Sequence, residues 1–438
     1  MASGTGVRSA GRARAGNSPA AGPLPPGRPS APGTLRVRAG TGQGRRSFRL
    51  QRLVLVEIAA ALLLVGWVSG PAVLPVAGIP AVVLVVLAFA RRRGRSLPEW
   101  LATARELRIR RRRAGRLEIP PGTEPGFGPA VECDPGLRTY AYGGRDRRPV
   151  GLVGDGTFVT VVLQIEADAT AMRAPRDRRP LPLALVRDAL EVDGIRLESA
   201  QIVLHTQPAP ALHLPPQSVA VANYLPLQEQ TGAPAVRITW IALKLDPERC
   251  PQAVAVRGGG LIGAQKCAVR AADHLASRLT GAGFRATVLN EEELTTAIAT
   301  SACANPLVTA EAERTGQVVR RTEETSRSWR CDNRRHTTYW LHRWPALGAG
   351  GPSLPQFVAL ITAVPALATT FSVTLARGDR QEVSLSGHVR VTGRSDDELV
   401  AARRAVQGAA RHTGAGLARL DREQAPGMLA TLPLGGAR

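Results

Sequence analysis

Two apolar runs separated by a Gly-Pro pair constrain this chain more than any other feature. Leu53 to Ser69 reads LVLVEIAAALLLVGWVS and Ala72 to Ala90 reads AVLPVAGIPAVVLVVLAFA, with only Gly70 and Pro71 between them. As helices the two runs reach roughly 25 and 28 Å, about the thickness of a hydrocarbon core. A single span would need roughly 55 Å of helix and would carry Pro71 in its interior. The pattern predicts a two-helix transmembrane hairpin over residues 53–90. Arg45, Arg46, Arg49 and Arg52 precede it, and Arg91, Arg92, Arg93 and Arg95 follow it. Arginines on both flanks place both ends, and the mass that follows, on the cytoplasmic side of the cell membrane. Glu57 lies about one turn inside the boundary, where a carboxylate is costly unless paired. It either contacts a neighbouring membrane subunit or snorkels towards Arg52 or Arg92, and its shallow depth favours snorkelling. Pro75 and Pro80 loosen the second helix, which is tolerated where another helix covers the freed carbonyls.

The net charge of +22 raises the question of nucleic acid, and its distribution answers it. Residues 1–113 hold 20 arginines and three acids, Glu57, Glu99 and Glu106, whereas 114–438 carries 37 basic and 32 acidic residues. The excess flanks the apolar runs, which suits anionic inner-leaflet lipid rather than a duplex. Residues 1–52 contain no acid and show no hydrophobic periodicity, and are expected to form a disordered basic tail. The five cysteines (Cys133, Cys250, Cys267, Cys303, Cys331) include no C-x-x-C pair, which excludes a zinc ribbon and leaves free thiols as the expectation.

Residues 91–117 predict a basic juxtamembrane helix. Ser96-Leu-Pro-Glu99 has the form of a capping box with proline in the first turn. Leu97, Trp100, Leu101, Ala104 and Leu107 recur at helical spacing, and the segment ends in Arg110 to Arg113. Such a helix lies on the inner leaflet, with Arg91, Arg92, Arg93, Arg110, Arg111, Arg112 and Arg113 as lipid contacts.

From Glu118 onward strand-like and helix-like stretches mix. Strands are expected at Phe158–Ile165, Leu197–His205, Val236–Lys244, Phe284–Leu289, Ser328–Cys331, Thr337–Trp344, Thr370–Leu375, Glu382–Val391 and Leu417–Leu420. Helices are expected at Leu183–Val192, Gly260–Leu279, Glu291–Ala302, Leu354–Ala363, Asp396–His412 and Arg422–Leu432. Asn290-x-x-Glu293 and Ser395-x-x-Glu398 read as caps, and Gly154-Asp155-Gly156 reads as a hairpin turn. Several strands adjacent in sequence indicate an α+β domain rather than a doubly wound sheet. A polar stretch at Ala310–Arg327 divides it into two expected lobes, 118–310 and 311–438. No repeat at solenoid periods is visible.

Catalytic patterns are missing. Neither Lys244 nor Lys266 follows a glycine, so a Walker A loop is excluded, and Gly258-Gly259-Gly260 reads as a hinge opening a helix. No G-x-S-x-G, H-E-x-x-H or S-x-x-K occurs. His336 and His342 on one strand stand about 20 Å apart, too far to share a metal. Asp396-Asp397-Glu398 complements the dipole at a helix start. No catalytic, cofactor-binding or metal-ligating residue is therefore assigned. Aromatics are scarce, yet Trp329, Tyr339, Trp340 and Trp344 gather in one block. Alternation puts Trp340 and Trp344 on one strand face and Tyr339 and Leu341 on the other. Core packing is the commoner use of such residues. With Trp100 they form the candidate partner interface.

The order of these features resembles the EccE component of the type VII (ESX) secretion system of actinobacteria. The resemblance rests on the hairpin at 53–90, the arginine run, Ser96-Leu-Pro-Glu-Trp100 and the Gly154-Asp155-Gly156 turn. It rests above all on Trp329-Arg-Cys with His336-Thr-Thr-Tyr-Trp-Leu-x-x-Trp344-Pro345. It implies a non-catalytic subunit without cofactor, assembling with EccB, EccC and EccD, of which EccC is the ATPase. The competing reading is a membrane-anchored transferase acting on a lipid-linked substrate. It requires a carboxylate or metal constellation that the sequence does not display.

Overall fold

The computed structural model describes residues 44–436 apart from 71–73, 90, 93–94, 118, 121, 144–147, 168–179, 209–214, 216, 224–225, 227–233, 235, 317–318, 349–350 and 378–381. Most of the expected basic tail, residues 1–43, lies outside the described residues, as do Pro71 and Arg93.

The chain begins with α1 (Gly44–Val68) and α2 (Leu74–Phe89), which pack against each other. Their contact is made by small residues: Ala59 and Ala81 are each 1 % exposed, while Leu64, Trp67, Val76 and Ile79 point outward. Glu57 is exposed. No helix among the described residues is long and apolar enough to cross a membrane. Two short strands, β1 (Arg91–Arg92) and β2 (Arg95–Ser96), pair before α3 (Leu97–Ala114), the expected juxtamembrane helix.

The remainder is α+β, as the mixed pattern indicates. The elements run α4 (Gly128–Cys133), β3 (Arg138–Tyr142), β4 (Val150–Gly154), β5 (Val159–Ala167), α5 (Leu183–Asp188), β6 (Glu191–Val192), β7 (Ile195–Arg196) and β8 (Ser199–Gln207). After α6 (219–223) come β9 (Val236–Leu245), α7 (Pro251–Val256), α8 (Gly260–Gly281), β10 (Phe284–Val288), α9 (Glu291–Ser301) and α10 (Pro306–Thr315). Then follow β11 (Thr322–Glu324), β12 (Trp329–Cys331), β13 (Arg334–Arg343), α11 (Leu354–Thr362), β14 (Ala368–Arg377), β15 (Val383–Gly393), α12 (Asp396–His412), β16 (Gly416–Arg419) and α13 (Gln424–Leu429).

Twelve of these strands form one antiparallel sheet in the order β11-β12-β13-β15-β14-β8-β9-β5-β4-β3, with β10 beside β5 and β16 beside β13. The order conceals an approximate two-fold relation. Counting inward, β3-β4-β5-β9-β8 on one side matches β11-β12-β13-β15-β14 on the other. α8 links β9 to β10 as α12 links β15 to β16, and α9 follows β10 as α13 follows β16. Even the exit bonds correspond: Leu289 N–H donates to Val162 O, and Leu420 N–H donates to Thr338 O. The axis passes through the Val203–Ser372 pair of β8 and β14, flanked evenly by Gln201–Thr374 and His205–Thr370. Strands from both sides of residue 310 share this one sheet.

Both sheet faces are covered. α5, α7, α8, α11 and α12 bury one, with Leu163, Ile241, Phe371, Val389 and Tyr339 beneath them. α4, α9, α13 and the C-terminal segment bury the other. That second face is rich in polar groups, and Gln201, wholly buried, holds the C-terminal segment to it. Its amide Nε2 donates to Ser372 Oγ (3.0 Å) and Ala430 O (2.9 Å), and its Oε1 accepts from Gly435 N–H (2.8 Å). Ser199 Oγ donates to Gly435 O (2.6 Å) and Thr160 Oγ1 to Leu434 O (3.0 Å). Gly435 and Gly436 both have positive φ, and a Cβ at either would collide with the Lys244 or Thr374 side chain.

One expected helix is shorter than its pattern. Residues 191–196 form the β6–β7 hairpin instead, because Asp193 (φ 51°) and Gly194 (φ 76°) make the two-residue turn for which Asp-Gly is the usual signal. Replacing Gln201 by Ala would orphan the Gly435 amide in the interior and leave the Ala430 carbonyl with the Ser372 hydroxyl alone. An orphaned group costs about 1–3 kcal/mol, so denaturant titration should show a lower midpoint with the single transition retained. A biphasic wild-type transition would show instead that the two half-sheets unfold separately.

Candidate functional site

The clearest built contact outside the sheet is the junction where α3 meets the domain. Arginines Arg111, Arg112 and Arg113 close its last turn, which favours a helix C-terminus. Two faces result. Thr103 and Leu107 are buried, whereas Leu101, Arg105, Arg108, Ile109 and Arg112 form the exposed side. Arg110 grips Glu324 of β11 with two parallel bonds, Nε to Oε2 and Nη2 to Oε1, both 3.0 Å. The Glu324 side chain is only 8 % exposed, and its Oε1 also accepts the Ala425 N–H at 3.0 Å, satisfying an unpaired amide in the first turn of α13. Arg111 Nε donates to the Glu324 carbonyl at 3.0 Å. The Arg422 guanidinium stacks 3.9 Å above the Trp100 ring, a cation–π contact that fixes the other end of the helix.

This corrects part of the sequence reading. Arg110 was expected to contact lipid, and its charge is instead spent on Glu324. Trp100 stacks under Arg422, and Leu107 is buried. Arg111, Arg112 and Arg113 remain exposed; the side chains of Arg91 and Arg92 lie outside the described residues.

The aromatic block divides. Trp329 is 1 % exposed, its ring 5.0 Å from that of His336, and Tyr339 is wholly buried. Burial pushes the Tyr339 hydroxyl pKa upward. Trp340 and Trp344 are half-buried. They do not share a face as alternation implies. The pairing of β13 with β16 shifts register between Leu341 and Arg343, and such a bulge turns the following side chains over. Trp344 therefore packs with Leu341 over Gly387 and against Phe357, at a ring distance of 6.4 Å. Of the five candidate interface residues, Trp329 and Tyr339 are core, and Trp100, Trp340 and Trp344 retain exposed surface.

A second feature was not foreseen from sequence: a polar layer centred on Arg390. It is completely buried, with no carboxylate partner among the described residues. Its guanidinium donates to Ser301 O at the C-terminus of α9, to Thr370 Oγ1 (3.0 Å), and touches the Met428 sulfur; Nε has no partner among the described residues. Burial lowers its pKa to about 10, which leaves it cationic at neutral pH. His205 Nδ1 meets Thr370 Oγ1 at 2.9 Å and His336 Nδ1 meets Thr392 Oγ1 at 3.0 Å. Burial, with Arg390 nearby, depresses His205 to about 3; burial alone depresses His388 to about 4. The five cysteines are free. No group of three or more His, Cys, Asp or Glu among the described residues is placed to hold a metal ion.

Comparison with known families adds a decisive observation: the stretch from just before β9 through most of β13 is recognised. Residues 233–341 match the EccE family, a type VII ESX secretion system translocon component. The resemblance read from the sequence holds for that segment, which contains Trp329, Tyr339 and Trp340. No curated protein matches the chain.

Two outcomes follow. Replacing Glu324 by Gln, or Arg110 by Gln, should speed amide exchange across α3 while sheet amides stay protected. The double-mutant coupling should be about 1–3 kcal/mol; zero coupling would show that α3 docks without this pair. His205 and His388 titrate near 6.5 when unfolded but only near 3 and 4 when folded. The unfolded chain therefore binds more protons below pH of about 6.5, and stability falls as pH drops from there towards 4. His388→Gln should flatten that slope in urea titrations at stepped pH.

Proposed function

We propose that the chain is a non-catalytic structural subunit of the type VII (ESX) secretion membrane complex. The EccE match over 233–341 carries this reading. In it the hairpin at 53–90 anchors the protein in the cell membrane as a multi-pass segment. The N-terminus and α+β domain lie on the cytoplasmic side, and the domain packs on EccB, EccC and EccD.

The packing of α1 on α2 supports the anchor. Small residues face inward and large apolar side chains face outward, with Leu64 67 % and Trp67 75 % exposed. That arrangement would be unfavourable in water and is usual in lipid, where close backbone approach drives helix association. Each apolar stretch is somewhat shorter than the about 20 residues of a full span. Local thinning of the bilayer and snorkelling of the flanking arginines accommodate the difference. The missing Walker A loop agrees with an assembly whose ATPase is another subunit. Trp340, half-buried beside exposed His342 at 6.2 Å, is the aromatic best placed to meet a partner.

The protein should stay with membranes through an alkaline carbonate wash. Under mild detergent it should co-purify with an FtsK-like ATPase and multi-span subunits. Arginine at both Leu64 and Val82 should release it from the membrane. Trp340→Ala should reduce co-purification without lowering the thermal midpoint of the isolated chain. Recovery as a lone monomer or homodimer would remove the secretion-scaffold reading.

A further inference from the structure

A cavity of about 760 Å³ opens where the end of α3 meets β11 and β12. Its walls mix apolar side chains, Leu117, Pro135 and Trp329 among them, with arginines and acids. The ionic lining divides sharply by partner.

Every acid on the wall is already engaged. Glu132 is buried and accepts the Arg321 and Thr322 amides and the Thr322 hydroxyl. Glu324 is held by Arg110 and Ala425. Asp134 accepts the Gly136 amide, and Glu323 pairs with Arg330 at 3.1 Å. Arg321 is neutralised by Asp332 at 2.7 Å. Three arginines remain without a carboxylate among the described residues. Arg111 and Arg320 each donate one Nε–H to a backbone carbonyl, Glu324 O and Thr322 O, and Arg113 makes no ion pair among the described residues. All three are exposed at the cavity.

We propose that this cavity binds the phosphate-bearing headgroup of an anionic phospholipid, preferably one with two phosphates. Three unneutralised guanidiniums around a partly apolar hollow of this volume suit a headgroup with several acceptor oxygens. The lipid source follows from α3 itself. The helix that supplies Arg111 and Arg113 turns Leu101, Ile109, Arg105, Arg108 and Arg112 away from the domain, the pattern of a helix lying on an anionic leaflet. The cavity therefore flanks the helix at the level of the headgroups. This inference rests on the membrane-anchor reading and adds a defined binding site to it.

The test is native mass spectrometry of the full chain in detergent, titrated with diphosphatidylglycerol, phosphatidylcholine or inorganic pyrophosphate. One diphosphatidylglycerol should be retained, with phosphatidylcholine not retained. Arg111→Gln with Arg320→Gln should weaken retention by about twenty-five-fold, from roughly a factor of five per arginine. Arg113→Gln, which breaks no bond, should weaken it by about five-fold. Replacing Arg105, Arg108 and Arg112 by Gln should leave that single lipid in place. Loss only in the outer-face variant would overturn the site in favour of general leaflet attraction, and no retained lipid would overturn it outright. Displacement by pyrophosphate at equal concentration would overturn the lipid source and assign the cavity to soluble phosphates. A chain that stays in solution without detergent would defeat the anchor reading itself, whereas a detergent-dependent chain without retention defeats only the cavity.

Discussion

The pairing of β8 with β14 is the contact on which the rest of the domain depends. Residues 199–206 and 369–376 lie in antiparallel register there, and every other strand of the main path reaches its counterpart half only through this seam. A ladder of that length in the middle of a sheet is shielded from solvent on both faces. Its alternate side chains must then satisfy two interiors at once. Ala200, Phe371, Val373 and Leu375 supply an apolar side. Gln201, His205, Thr370 and Ser372 supply a polar one.

That polar side needs partners, since a buried amide or hydroxyl left alone is expensive. The C-terminal segment provides them. Its carbonyls at Ala430, Leu434 and Gly435 are each taken by a side chain of the sheet. Arg390 is treated similarly. With no carboxylate partner among the described residues, it is directed at the carbonyl end of α9, where the helix dipole is negative. Burial holds His205 and His336 neutral, and the Arg390 charge adds to the effect.

Much of this was legible in sequence where a feature is local. Strand and helix identities from Phe158 onward follow hydrophobic period, and the Asn290 capping box forms as its spacing implies. The Ser395 cap forms in half: its hydroxyl accepts the Glu398 amide, while the Glu398 side chain turns to Arg394 N–H instead. Features that depend on distance along the chain stayed hidden. Arg110 and Glu324 are separated by 214 positions, and nothing local marks either as the other's partner. The two-fold relation escapes a search for fixed periods because its connections differ in length. The β5-to-β8 link carries a helix and a hairpin, whereas the β13-to-β14 link carries one helix. The reversal of Trp344 depends on a bulge, which one residue of register decides and alternation alone does not reveal.

The junction and the seam are joined by covalent and hydrogen-bonded continuity rather than mere proximity. Arg110 holds Glu324, and Glu324 holds the first turn of α13. α13 leads directly into the segment that Gln201 clasps at the centre of the sheet. A helix that swivels against the domain must therefore break a bidentate, largely buried ion pair before the sheet moves relative to it. Because breaking one partner from a buried pair leaves an uncompensated charge, the junction resists small displacements more strongly than an apolar contact of the same area would. Position and orientation of α3 are consequently transmitted to the domain as a rigid attachment.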